Sequence, residues 1–291
     1  MAFSVNTNAG AMAALQSLNS TNRGMETTQS RINTGLNVAS TKDDSAKYTV
    51  AQTLRGDLGK LSAVTSSLNN AKSVTDVAVA GAEQISDLLN EMKSKTLEAS
   101  DTGLDVESRT AISKDLVSLK NQIGTIIDGS DFNGTNLLKG TAAATDGNVS
   151  ALQSIASGAA TLTVANQGFT TKADTAFGAS GTDTDITALN DADSATGAAA
   201  ATALSTKLDT FFDEVKDSLS DLGAASRQLE GQQTFNSKLT DVVTTGVGNL
   251  VDADLAKESA TLQALQVQQQ LGVQALSIAN QAPQTILSLF R

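Results

Sequence analysis

Both ends of this chain carry apolar residues on a helical heptad grid, and the middle does not. Near the N-terminal end, Leu54, Leu58, Leu61, Thr65 and Leu68 follow one another at intervals of four, three, four and three. Near the C-terminal end, Leu255, Leu262 and Leu276 stand on a grid of seven, separated by glutamine-rich spacers. A seam with this period has to be buried against another helix. A seam at each end predicts that the termini pack on each other or on copies of themselves, which is the layout of a polymerising subunit. An ordinary helical bundle carries the same period in its core, so spacing alone leaves both readings open.

Composition narrows the choice. Hydrophobic residues make up 40% of the 291 positions but aromatics only 3%, so any core is assembled from Leu, Ile, Val and Ala. Such interiors suit closely packed helices. The single proline, Pro283, lies near the end, which lets helices run uninterrupted. A net charge of −11 argues against nucleic acid and against anionic membrane surfaces. No apolar run is long enough to span a bilayer. The start, Met1 to Asn6, lacks a basic segment followed by an apolar one, so no cleavable signal peptide is expected. There is no Cys and no His, which removes disulfides, the usual zinc and haem ligands and the commonest general base. No metal or cofactor is expected.

Along the chain, residues from about 8 to 33 read as a charge-poor helix with Leu15, Leu18, Met25 and Ile32 on one face. Alone it is marginal in water, so it is expected to order only when covered. Thr34-Gly35 breaks it. Thr41-Lys42-Asp43-Asp44 opens a second helix that runs to about Ala99, roughly 80 Å at 1.5 Å per residue. Gly56, Gly59 and Gly81 inside it each cost up to about 1 kcal/mol, so tertiary packing must hold it there. A third helix spans about Asp105 to Ile127, and Asp131-Phe132-Asn133-Gly134 is a tight-turn signal. Between about 141 and 204 the chain turns Ala- and Thr-rich, with six acidic residues and one basic. Thr161–Val164 and Asp185–Leu189 alternate like short strands. This stretch reads as a small, exposed, loosely built insertion. Helix resumes near Ser205, breaks near Gly246 and Gly248, and a last helix runs from about Asp252 towards Asn280.

The expected architecture is mainly α. Residues 1–40 and 250–291 form one coiled-coil layer, 41–140 and 205–249 a second helical layer, and 141–204 a surface insertion at the tip. The residues expected to pack subunits together are Leu15, Leu18, Ile32, Leu54, Leu58, Leu61, Leu68, Leu255, Leu262, Leu265 and Leu276. Paired carboxylates such as Asp43 with Asp44 and Asp252 with Asp254 read as helix-start and solvated acids, not as a catalytic pair. Asp191 to Gly197 fails the calcium-loop pattern, since position five is Ala195 and the twelfth is Thr202. An enzyme is not expected.

Specific strings carry a resemblance. Asn6-Thr7-Asn8 with Ala14 to Asn19, the run Arg31 to Ala46, Phe132-Asn133-Gly134 with Leu137-Leu138, and Ala275 to Arg291 resemble the conserved ends of bacterial flagellins. The resemblance covers about 1–140 and 205–291, and it implies that residues 1–40 and 250–291 are an inner coiled coil and residues 41–140 and 205–249 a helical shell. It implies an extracellular structural subunit of the flagellar filament that serves motility and leaves the cell unfolded by type III export without a cleaved signal peptide. Implied partners are copies of itself, the flagellar cap and hook-junction proteins and an export chaperone, with no nucleic acid and no membrane insertion. A hook–filament junction protein shares the same ends and is the close alternative; a secreted adhesin or a hydrolase is the distant one. Lys47-Tyr48 departs from the small residues many members carry. Glu91 and Lys95 stand where many members have an arginine and a leucine in a patch read by an animal innate-immune receptor.

Overall fold

The computed structural model describes residues 8–140, 147–155, 161–178 and 182–289, with side chains to 281. The chain divides into two units, residues 1–58 with 241–291 (unit 1) and residues 59–240 (unit 2). Two long helices, α2 (Ser45–Ala99) and α6 (Ser194–Val251), contribute to both.

In unit 2, α2 buries Leu61, Val64, Leu68, Ala71, Thr75, Ala78, Ala82, Ile85, Leu89, Met92, Thr96 and Ala99, alternately three and four residues apart. The facing stripe of α6 is Ala201, Leu204, Leu208, Phe211, Val215, Ser218 and Leu222, at the same spacing, and Ala198 lies buried three residues before it. The helix therefore starts eleven residues before Ser205, at Ser194, because the alanine run 198–201 continues the heptad and has the highest helix propensity. Asp193 caps it, accepting the Ala195 amide and the Thr196 hydroxyl. Polar groups lock the pair: buried Asn236 donates to the Leu61 carbonyl at 3.0 Å, and Lys72 bridges to Glu230 at 2.8 Å. The third helix, α3 (Val106–Gly129), is capped by Asp105 and buries Ile112, Leu116, Ile123 and Ile127.

The turn after α3 has the left-handed backbone expected of Asn-Gly, with φ of 53° at Asn133 and 79° at Gly134. The residues on either side of it, Ser130 and Leu138, pack on α2 at Gly81, where a Cβ would lie 2.9 Å from Leu138 Cδ1 and would also strike Ser130. Gly81 is thus a point of close approach.

The middle of the chain is not a loose insertion. An antiparallel hairpin of β1 (Val149–Leu152) and β2 (Thr161–Val164) buries Val149, Ala151, Leu162 and Val164 in the core that α2, α3 and α6 share. The fourth helix, α4 (Phe169–Phe177), brings Phe169 and Phe177 edge-on to Phe211 at 6.2 and 5.9 Å. The strand expected at Asp185–Leu189 is instead a helical turn, α5 (Thr184–Thr187), followed by a 3-10 turn at Ala188–Asn190. Its buried residues, Ile186 and Leu189, are three apart, which suits a helical turn and not a strand face.

Buried Arg109 ties this end of unit 2 together. Its guanidinium donates to the carbonyls of Ala99, Asp101 and Leu104 and to the Ser194 hydroxyl. A cation beside the last carbonyls of α2 complements the helix dipole.

In unit 1, α1 (Ala9–Thr34) ends on Gly35, whose φ of 71° closes the helix as Thr34-Gly35 suggested. Asp43 accepts the amides of Ala39 and Ser40, and Asp44 accepts the Lys47 amide, so α2 starts just after these acids. The Ser40 amide and hydroxyl hold the Asp43 carboxyl below its usual range. Gly246 and Gly248 lie inside α6, which runs on to Val251. The last helix, α7 (Leu255–Leu289), continues through Pro283 beyond the expected end. The two connectors are joined: Asn37 and Val38 donate to the Val251 carbonyl, and Ala253 donates to that of Gly35. Val38, Ala51, Val247 and Val251 form a small second core there, flanked by Tyr48, Leu54, Leu58 and Leu250.

Candidate interaction site

Among the described residues no helix is long and apolar enough to cross a membrane. The chemistry that stands out is apolar surface on the terminal helices.

The α1 and α7 helices run antiparallel. Asn8 donates to the Ala279 carbonyl at 2.7 Å, Gln269 donates to Asn22 at 2.8 Å, and Arg31 pairs with Glu258 at 3.2 Å. Each pair sums to between 287 and 291, a constant antiparallel register. The inward stripe of α1 is Leu18, Thr21, Met25, Thr28 and Ile32; that of α7 is Leu262, Leu265, Gln269, Gly272 and Leu276. Both follow the heptad alternation of three and four. Glycines let the helices approach: Leu265 sits against Gly24 and Leu18 against Gly272, with methyls 3.5 and 3.3 Å from where a Cβ would stand.

The expected packing residues therefore separate into groups. Leu18, Ile32, Leu262, Leu265 and Leu276 share the intrachain seam. Leu54 and Leu58 flank the small second core. Leu15 and Leu255 lie outside the seam and are exposed. Leu61 and Leu68 are fully buried within unit 2, where their own chain fills their surroundings. Sequence reasoning missed Met12, Val267, Leu271 and Ile278, which are 68%, 56%, 59% and 69% exposed. For Val267, Leu271 and Ile278 the signal was present as a second apolar spacing interleaved with the first along α7.

Glu91 is exposed on α2. Lys95 is engaged by Asp115 on α3 at 2.9 Å, and that carboxylate raises the lysine's pKa.

Comparison with known proteins matches both helical ends. The bacterial flagellin N-terminal helical region fits residues 5–143, and the bacterial flagellin C-terminal helical region fits residues 205–290. Flagellin FljK of Caulobacter vibrioides is 44% identical, covering 99% of this chain and 98% of its own length. A flagellin of Brucella melitensis is 38% identical and covers 99% of both chains. A solved structure described as a flagellar hook-associated protein from Vibrio parahaemolyticus shares the fold over 72% of this chain and all of its own, with a TM-score of 0.59 at 18% identity. With both ends matched and such relatives similar along nearly their whole length, the chain belongs to the bacterial flagellin family.

Proposed function

We propose that this flagellin assembles through unit 1, while unit 2 supplies a self-sufficient helical shell. Membership of the family makes the chain a structural subunit of the flagellar filament and not an enzyme. The observation that carries the assembly reading is the exposure of Val267, Leu271 and Ile278 on α7, whose pairing with α1 covers one face only. Isolated exposed apolar residues are ordinary, but an apolar row on a thin helix pair marks a surface awaiting a partner.

In this reading the terminal pair lines up with those of neighbouring copies. The boundary between the two roles falls near residues 58 and 240. The cap, the hook-junction proteins and an export chaperone are the further partners proposed, and type III export without a cleaved signal peptide is the proposed route to the cell exterior. Seeded polymerisation tests the reading. Purified monomer added to sheared filament fragments should lengthen them under the electron microscope. Monomer that stays unpolymerised while unit 2 remains folded would overturn it.

The face with Glu91 and Lys95 is proposed to be weakly sensed by the animal receptor that reads many flagellins. An acidic residue in place of arginine, and a lysine held by Asp115 in place of leucine, both oppose such a contact. In a cell reporter assay, Glu91→Arg with Lys95→Leu should raise potency; unchanged potency would remove these positions from the contact.

A further inference from the structure

The chain contains a single Asn-Gly pair, Asn133-Gly134. Asparagine is thermolabile. Its side-chain amide is open to attack by the backbone nitrogen of the next residue, and glycine, with no Cβ and a freely turning backbone, hinders that attack least. The Gly134 nitrogen would bond to Asn133 Cγ, ammonia would leave, and a cyclic succinimide would form. Water then opens the ring at either carbonyl. One opening leaves aspartate. The other leaves isoaspartate, whose main chain runs through the side-chain carbon and is one atom longer.

The fold opposes this reaction by geometry. Phe132 and Thr135 exchange both backbone hydrogen bonds, at 3.0 and 3.1 Å, around Asn133 and Gly134. Both central residues are left-handed, with φ of 53° and 79°. Left-handed backbone has ψ of about +47°, which puts the next nitrogen across the Cα–C bond from Cβ. Ring closure needs that nitrogen and Cβ on the same side, a rotation of roughly half a turn away. The Gly134 N–H also donates to the Asp131 carboxylate at 3.2 Å. The turn is clamped at both ends. On the entry side the Ser130 amide donates to the Ile126 carbonyl at 3.0 Å. On the exit side Asn136 donates to the Ile127 carbonyl at 2.6 Å and accepts the amides of Leu138 and Lys139, each at 2.8 Å. Leu137 and Leu138 are fully buried. Asn133 itself is exposed, so water reaches it freely.

We propose that Asn133 is a self-modification site gated by the fold: it deamidates while the turn is open and is held unreactive once the turn closes. Exposure and geometry act in opposite directions here. Geometry wins, because ring closure precedes the step that uses water. The reaction consumes only the chain's own nitrogen and water, and releases ammonia. Its two products have different consequences. Aspartate tolerates left-handed backbone as asparagine does, so it re-forms the turn. Isoaspartate adds an atom between two clamps. The Phe132–Thr135 pair and the seat of Leu138 against Gly81 then cannot both close. Time spent unfolded is thereby converted into chains that cannot complete unit 2. All of these contacts lie inside unit 2, so the proposal is independent of how copies assemble.

Monomer incubated at mildly alkaline pH, folded and in urea, provides the test. Deamidation at 133 is followed by peptide mapping, with isoaspartate tagged by a protein isoaspartyl methyltransferase. The reaction in urea should be more than about tenfold faster, because a closed domain opens rarely. Equal rates would overturn the proposal. Asp131→Ala and Asn136→Ala each loosen one clamp. Both should speed the reaction severalfold in folded chain and leave the rate in urea unchanged. Folded-state rates that neither variant alters would overturn the gating. A variant that fails to fold, judged by circular dichroism, should react in buffer at its urea rate, and a slower reaction there would count equally against it. Chain aged in urea and then refolded should sort by product, with aspartate at 133 in the folded fraction and isoaspartate in the unfolded one. Asn133→Asp should refold like the unsubstituted chain. Isoaspartate recovered in fully folded chain would sink the claim that it blocks unit 2.

Discussion

Units 1 and 2 use the same element, a long helix with a 3–4 apolar spacing, to opposite ends. In unit 2 the spacing is consumed internally. The α2 and α6 stripes face each other, and α3, the hairpin and α4 complete the core, so that Leu68, Ile85, Leu89, Leu116, Phe169 and Phe177 are wholly enclosed. In unit 1, α1 buries only Thr21 and Thr28, and α7 buries none of its described side chains. Two helices joined along one seam cannot enclose a core, and most helical stability comes from such enclosure. A heptad therefore states that a helix must pack, but the number of neighbours decides whether it packs within the chain or beyond it.

Hydrogen exchange should expose this contrast most strongly. In monomer, amides of α1 and α7 should exchange near open-chain rates, while those of α2 between Leu61 and Met92 are protected by at least about a thousandfold, the protection of a domain stable by ~5 kcal/mol. In filaments the terminal amides should gain comparable protection. Strongly protected ends in monomer would erase the distinction between the units.

The next largest effect is expected for Phe211→Ala, which removes the ring that Phe169 and Phe177 meet edge-on. Loss of a buried phenylalanine costs about 3–5 kcal/mol. Denaturant unfolding of the monomer should shift to match. A change near zero would show that the 147–204 stretch is peripheral after all.

Gly81→Ala should cost about 1–3 kcal/mol through overpacking against Ser130 and Leu138. Gly56→Ala, with nothing within 4 Å of the new methyl, should instead gain a fraction of a kcal/mol from helix propensity. Equal effects at the two sites, measured by thermal unfolding, would contradict the close approach at Gly81.

The smallest expected effect is electrostatic. Lys72 lowers the pKa of Glu230, so the pair stabilises the fold above the ordinary glutamate value of 4.5 and loses that contribution as pH falls through the lowered value. Glu230→Gln should melt slightly earlier than the unsubstituted chain at pH 7. The gap should close in acid, where both carry a neutral side chain. A gap that persists in acid would mean the residue acts by packing.

Much of this was legible in the sequence. The heptads of α2 and α3, the stop at Gly35, the Asn133-Gly134 turn and the strand at Thr161–Val164 follow from local rules. The rest depended on partners. Small residues hid the middle of the chain, because Ala198 and Ala201 read as filler until Leu204 and Leu208 extend their spacing. Leu61 and Leu68 satisfied the pattern of an intersubunit seam equally well, and only the facing stripe of α6 shows where they are spent. On α7 the two rows interleave, so Val267, Leu271 and Ile278 were masked by Leu262, Leu265 and Leu276.

The joined connectors have a kinetic meaning. Arg31 and Glu258 are 227 residues apart, and Asn8 and the Ala279 carbonyl 271. Closing a loop of that length costs roughly 5 kcal/mol of chain entropy before any contact repays it. The first helix to be synthesised thus meets its mate only when the last has been made. Folding of unit 1 has the highest contact order the chain can offer, so its two arms are the last parts to settle and the first to let go.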